Sequence, residues 1–362
     1  MNIVCPEIVL SAELDDIIVN DVSEKLYFEV SYQNEVILQE TYFPDNDGKI
    51  FIRDIALLAD SYLKDVELSE SAISSAGVVK FHLKFEEIKK VNQEEQVIHS
   101  IEPDLSVYAC YVETAGTLLA EDLHLIPLTR CPVKPVYKER KEYISFYGSG
   151  NIMVSVTSIG TTQDLTSVFT LATLTGDMET ITRLDVSLKV ISDICGISQD
   201  KIVKYSVYRV EQLAAEYKVS KYLQPQETFV FFNSFGAQET FTCTGDTEKA
   251  MKWDRTFGQI GRLQQLIEGK PEGTITVQTG YITREQAGIV EDLLNARQIA
   301  MIDEYGWHPV IIAEESFKVV SRRDELINIE FKYRYGMQNH MQHRYKWTWY
   351  RIFDTAFDKT FN

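Results

Sequence analysis

The sequence predicts a mainly β chain of β-sandwich domains, ending in an α+β portion that carries one amphipathic helix. Three observations lead there. Short runs rich in Val, Ile, Tyr and Phe alternate with polar residues along most of the chain. Proline-containing stretches divide those runs into groups, and the fully capped helical stripe falls in the last third. At 362 residues the chain exceeds one ordinary core and reads as about two or three domains. A composition of 44% hydrophobic and 25% charged residues is that of a folded protein, which excludes a disordered or collagenous chain.

Residues 1–120 read as an N-terminal β-sandwich-like domain. Strands are expected at 26–32, 35–43, 49–53, 78–85 and 107–112, where β-branched and aromatic residues cluster. Between them Ile55, Leu58, Ala59 and Tyr62 share one helical face, as a helix covering the end of a sandwich requires. Asp45-Asn46-Asp47-Gly48 has the alternating acids of a calcium loop. Phe43 stands where the first ligand belongs and Asp54 where the closing Glu belongs, so a hairpin turn is the better reading.

Pro127, Pro132 and Pro135 mark residues 121–142 as a Pro-rich linker, since proline removes ladder donors and fixes an extended backbone. Residues 143–226 form a second β domain, with alternating strands at 151–157, 184–190 and 201–210. Gln224-Pro225-Gln226 closes it. In the C-terminal α+β domain, 227–362, Thr283 and Gln286 make a capping box ahead of the stripe Ile289, Val290, Leu293 and Leu294. A hairpin over 299–302 and 307–313 follows. A regular strand then sets Ile327, Ile329, Phe331, Tyr333 and Tyr335 on one face and Asn328, Glu330, Lys332 and Arg334 on the other.

The net charge of −18 opposes a phosphate backbone, so nucleic acid is not expected as a partner. The charge is uneven: residues 1–100 hold 8 Lys and Arg against 20 Asp and Glu, or −12, and 316–362 hold 9 against 5, or +4. Acidic and basic ends could meet between copies or within one chain. Cys5, Cys110, Cys131, Cys195 and Cys243 lack any C-x-x-C pair, which argues against a disulfide framework and a zinc knuckle. The N-terminus shows no signal peptide, and no stretch nears the ~20 apolar residues of a membrane helix, so no membrane partner and cytoplasmic synthesis are expected.

No catalytic, cofactor-binding or metal-binding constellation emerges, and a non-enzyme without cofactor is expected. Gly148-Ser149-Gly150 is followed by Met153 and a strand instead of a third glycine and a helix, and Gly269-Lys270-Pro271 lacks the remaining P-loop residues. His340 and His343 have no carboxylate or thiol between Glu330 and Asp354 to complete a metal shell. No Ser or Cys sits in a nucleophile elbow, and His82 reads as a half-buried strand residue. The pairs Glu86-Glu87, Glu94-Glu95 and Glu314-Glu315 read as solvated charges, because neighbours in a strand point to opposite faces. A pocket joining His124 or His308 with a carboxylate would favour an enzyme. The candidate interaction surface is Lys332 and Arg334 with Tyr345, Trp347, Trp349 and Tyr350, where cations and aromatics interleave.

Phe231-Phe232-Asn233-Ser234-Phe235-Gly236, then Glu239-Thr240-Phe241, Arg255, Gly258 and Gly280-Tyr281, resemble in their order prophage-encoded tail or baseplate structural proteins. Leu293-Leu294 ending a helix, 307–312 as a short strand and 329–335 as a closing strand continue the likeness, which covers 228–362. The resemblance implies a noncatalytic, β-rich assembly subunit, without cofactor, contacting copies of itself and other particle subunits. It also implies a place in the virion or phage-like particle after synthesis. The rival class is a carbohydrate- or surface-binding β-sandwich protein, with the C-terminal Trp and Tyr as stacking platforms.

Overall fold

The computed structural model describes residues 1–336, less 64–66, 75–76, 93, 113–117, 119, 161–164, 222, 261–262, 314–317 and 321–326; for 121, 251–260, 263–272 and 318–320 it describes the backbone alone. The fold is mainly β, as expected. The first stretch holds β1 (Asn2–Val4), β2 (Ile8–Leu10), β3 (Ile17–Asn20), β4 (Lys25–Tyr32), β5 (Glu35–Tyr42) and β6 (Ile50–Ile52). After these come α1 (Ile55–Leu63), β7 (Ile73–Ser74), β8 (Val78–Val91), β9 (Glu94–Ile101) and β10 (Asp104–Tyr108). Sheets β1-β3-β6 and β2-β10-β8-β4-β5 share one core. Alternation builds it: Leu26, Phe28 and Val30 of β4 and Phe81, Leu83 and Phe85 of β8 are buried, and α1 adds Ile55, Ala59 and Leu63.

The second stretch holds β11 (Val133–Val136), β12 (Tyr143–Tyr147), β13 (Ser149–Ser158), β14 (Leu165–Thr175) and β15 (Ile181–Asp185), then α2 (Leu188–Cys195), β16 (Ile202–Arg209) and β17 (Gln212–Val219). Five of these strands form a sheet in the order β11-β17-β16-β13-β14. The strand expected over 184–190 is corrected here. It stops at Asp185, whose Oδ1 accepts from the Ser187 N–H at 3.0 Å, and α2 begins at Leu188. Leu188 and Ile191, three apart, are buried, and Gly196 ends the helix at φ 65°, a left-handed conformation that favours glycine. Seven residues of apolar alternation fit a strand and one helical face alike.

The last stretch holds β18 (Thr228–Phe232), β19 (Gln238–Thr242), β20 (Thr247–Ile260), β21 (Leu263–Gln278), α3 (Arg284–Asn295), β22 (Ile299–Asp303), β23 (Gly306–Ile312), β24 (Lys318–Val320) and β25 (Asn328–Tyr335). The sheet order is β19-β18-β22-β23-β25-β21-β20, with β24 beside β25. The Thr283 hydroxyl accepts from the Gln286 N–H at 3.3 Å and the Gln286 side chain accepts from the Thr283 N–H at 2.9 Å, completing the expected capping box. Ile289, Val290 and Leu293 share one core with Phe229, Phe331 and Tyr333. Each such side chain adds about 1.5–3 kcal/mol by leaving water. The alternation of β25 appears as a burial pattern, with Ile329, Phe331 and Tyr333 inside and Lys332 and Arg334 outside.

One element leaves the sheet. β21 pairs with β25 only through Ile275–Gln278, whereas Leu263 and the residues up to Thr274 have β20 as their strand partner among the described residues. At ~3.4 Å per residue this two-stranded ribbon runs about 40 Å. Its register sets Lys252 opposite Glu272 and Asp254 opposite Lys270.

The three stretches interlock. β11, inside the proline-rich 121–142, pairs in parallel with β17, and β7 pairs with β15 in the sheet β12-β15-β7. A separate core gathers Leu10, Tyr108, Leu123, Tyr147, Ile181 and Phe235 from all three. Arg183 of β15 donates to the Ser69 and Glu70 carbonyls at 3.0 and 2.7 Å and lies over the rings of Tyr143 and Trp307. Among the described residues no helix is long and apolar enough to cross a membrane.

Candidate functional site

The largely apolar tract 228–236 places β18 between β19 and β22, where Phe229, Val230 and Phe231 are fully buried. The chain then turns sharply. Asn233 Oδ1 accepts the N–H groups of Phe235 and Ala237 at 3.0 and 3.1 Å, and the Gly236 N–H donates to the Asn233 carbonyl at 3.0 Å. Gly236 has φ 65°, and a Cβ there would stand 2.8 Å from the Ala109 Cβ, so handedness and space both require glycine.

From this turn a buried polar chain runs inward. Asn233 Nδ2 donates to the Leu128 carbonyl at 2.7 Å and to Glu239 Oε2 at 2.6 Å. Glu239 Oε1 accepts from Thr129 Oγ1 and from Lys134 Nζ, each at 2.5 Å. Lys134 also meets Glu142 Oε1 at 3.2 Å. All three ionisable side chains are under one-tenth exposed. Burial opposes the charge of Lys134, yet the Glu239 and Glu142 carboxylates outweigh it and hold the ammonium above the ordinary lysine value. Burial pushes the Glu142 carboxyl up to about 7, with Lys134 opposing the rise and Glu239 adding to it. Glu142 therefore takes up a proton at higher pH than an ordinary carboxyl does.

On the outer side of the turn, Ser234 N–H and Oγ donate to Asp292 Oδ2 of α3 at 3.1 and 2.9 Å. Arg130 Nη1 donates to Asp292 Oδ1 at 3.0 Å and Glu291 Oε2 at 3.1 Å. Burial raises the Asp292 carboxyl, with the Ser234 and Arg130 hydrogen bonds acting against it. The Tyr111 N–H donates to the Ser234 carbonyl at 2.8 Å, tying in the first stretch. Leu63, Tyr111, Arg130, Ser234, Asp292 and Arg297 line a cleft of about 330 Å³ here. Its Ser–Asp contact is direct, without an intervening imidazole, and Asp292 divides its oxygens between Ser234 and Arg130. The arrangement locks a turn, a helix and the proline-rich segment together.

The two histidines singled out in the sequence lie elsewhere. His308 Nε2 meets Asp303 Oδ1 at 2.8 Å across the β22–β23 turn, and the same oxygen accepts the Tyr305 N–H. The histidine therefore has a carboxylate, but inside a hairpin turn and away from the cleft. His124 packs edge-on against Tyr108 and Tyr147 at 5.7 and 5.9 Å, and burial, with Arg209 nearby, lowers its pKa. His82 is corrected from half-buried to exposed, with Nδ1 2.9 Å from Asp104. Glu87 is corrected from solvated to buried. Its Oε1 accepts from Ser23 N–H and Oγ at 2.8 and 2.7 Å; burial works to raise its pKa, but these bonds outweigh it and the carboxyl sits below its ordinary value.

Of the candidate interaction surface, Lys332 and Arg334 occupy the exposed face of β25. Tyr345, Trp347, Trp349 and Tyr350 lie outside the described residues, as do His340 and His343. Among the described residues no three His, Cys, Asp or Glu side chains cluster as metal ligands. The cysteines are free thiols, with Cys110, Cys131 and Cys243 buried. The Lys134–Glu142–Glu239 cluster and the Ser234–Asp292–Arg130 contacts escaped sequence reasoning. A polar Asn-Ser pair inside the otherwise apolar run 229–235 is a local sign of them. No protein-family model and no curated protein sequence matches the chain.

Proposed function

We propose that the chain is a noncatalytic structural subunit of a phage-tail-like particle, acting through contacts with copies of itself and with other particle subunits. The observation that carries this reading is the β20–β21 ribbon. An isolated two-stranded hairpin is marginal in water, and a pair about 40 Å long needs a further surface to hold it. A neighbouring subunit supplies that surface. The order of elements over 228–362, which resembles tail and baseplate proteins, agrees with it, and the net charge of −18 disfavours a nucleic-acid partner. In this reading the protein is made in the cytoplasm, takes up its place in the particle and uses no cofactor.

The test replaces residues 252–272 with a two-residue Asn-Gly turn, joining Met251 to Gly273, which already face each other in the register. Light scattering over a concentration series should show a defined multimer for the full chain and loss of most of that mass for the shortened one, with the thermal melt preserved. A full chain that stays monomeric at every concentration would sink the reading.

A further inference from the structure

We infer that the guanidinium of Arg209, together with Nδ1 of His124, holds a small monovalent anion of the halide class beside the core shared by the three stretches. Arg209 ends β16 opposite Ile152 of β13, and only 6% of it is exposed. A buried charge is costly unless hydrogen bonds and an opposite charge both meet it. Arg209 has some of the bonds and none of the charge. Its Nη2 donates to the Tyr147 and Ser149 carbonyls at 2.7 and 2.9 Å, so Gly148-Ser149-Gly150, which opens like a dinucleotide loop, closes on a guanidinium instead. Nη1 is buried and has no hydrogen-bond partner.

Among the described residues no carboxylate answers this charge. Arg130 has Asp292 and Glu291 beside it, and Arg183 has Asp185 and Glu70 within electrostatic reach. At Arg209 burial acts alone and pulls the pKa below the ordinary arginine value. The loop packed on the 148–150 turn does carry acids, since the Gly148 N–H donates to the Thr180 carbonyl at 2.9 Å. Both are engaged elsewhere. Asp177 accepts from the Thr180 hydroxyl, and Glu179 lies 3.8 Å from Lys80.

A second unpartnered nitrogen lies close by. His124 closes the short helical turn Ala120–His124, and its ring stands 5.9 Å from that of Tyr147, whose carbonyl takes Nη2. Its Nδ1 is also buried without a partner. Burial and the Arg209 charge lower its pKa, so the ring stays neutral at pH 7 and can carry its proton on Nδ1. One cation and one neutral N–H balance a single negative charge. A phosphate or sulfate dianion would remain half-neutralised and would need more donors than these two groups offer, and water would leave the guanidinium charge unmet. The bound anion ties the β12–β13 turn to the turn that carries Leu123, at the core where Leu123 and Tyr147 pack with Leu10 and Phe235.

The experiment follows the thermal melt of the full chain as sodium bromide replaces sodium gluconate at constant ionic strength. The midpoint should rise by roughly 2 °C or more and the rise should saturate, as binding to the folded state requires. His124→Phe keeps an aromatic ring against Tyr108 and Tyr147 and removes Nδ1, so it should need about tenfold more bromide for the same rise. Arg209→Met should lose the response. Should that variant fail to fold, wild-type crystals soaked in bromide read the site directly, with an anomalous peak expected against Arg209 Nη1 and His124 Nδ1. A melt indifferent to bromide, or a peak touching neither residue, overturns the inference. A peak at the site without a saturable rise in the melt means an adventitious ion only and overturns it too.

Discussion

At the scale of single residues, the Lys134–Glu142–Glu239 cluster gathers three ionisable side chains inside the fold. Three ionisable groups leave water together, and only the cation between two carboxylates makes that tolerable. The proton on Glu142 then ties stability to pH. Its carboxyl rises from 4.5 to about 7 on folding, so the folded chain binds this proton more tightly than the unfolded one. The resulting stabilisation is complete below the unfolded value and disappears as pH climbs through about 7. Urea midpoints from about pH 5 to about pH 8 should therefore fall with pH in the wild type and fall less in Glu142→Gln, which keeps the shape and removes the titration. An unchanged slope in the variant would assign the dependence to another group. Little of this was legible in the sequence, because positions 134, 142 and 239 are separated by up to 105 residues and 134 lay in a stretch read as a linker.

Among the elements, legibility follows from burial on one face. β4, β8 and β25 each present one row to a core, so period-two alternation exposes them. α3 announced itself through Thr283 and Gln286, and Thr283→Ala should destabilise the chain by about 0.5–2 kcal/mol in a thermal melt with unchanged mass. A melt indistinguishable from the wild type would mean that packing of Ile289, Val290 and Leu293 alone sets the helix end. α2 was hidden because seven residues of apolar alternation were read as strand, and the end of β15 is decided by Asp185 and Ser187 side chains, not by periodicity. The ribbon of β20 and β21 was hidden for a different reason. Its sequence mixes charge and apolar residues without alternation, and nothing local specifies that two such segments pair over their full length.

For the whole molecule, ionic strength tests the electrostatic route to self-association. Contact between the −12 front and the +4 end of two copies would weaken as salt rises. Light scattering at low and physiological salt should therefore show a loss of mass with added salt, and a mass indifferent to salt would count against that contact. The long reach of the Lys134 cluster also imposes a timetable. At ~5–20 residues per second, the ribosome makes Glu239 roughly 5 to 20 s after Lys134, a gap set by the 105 residues between them. During that interval the lysine has only Glu142 as a partner, and until residues 212–219 are made β11 has no β17 to join. Lys134 and β11 therefore remain open to water until those later residues emerge to close them.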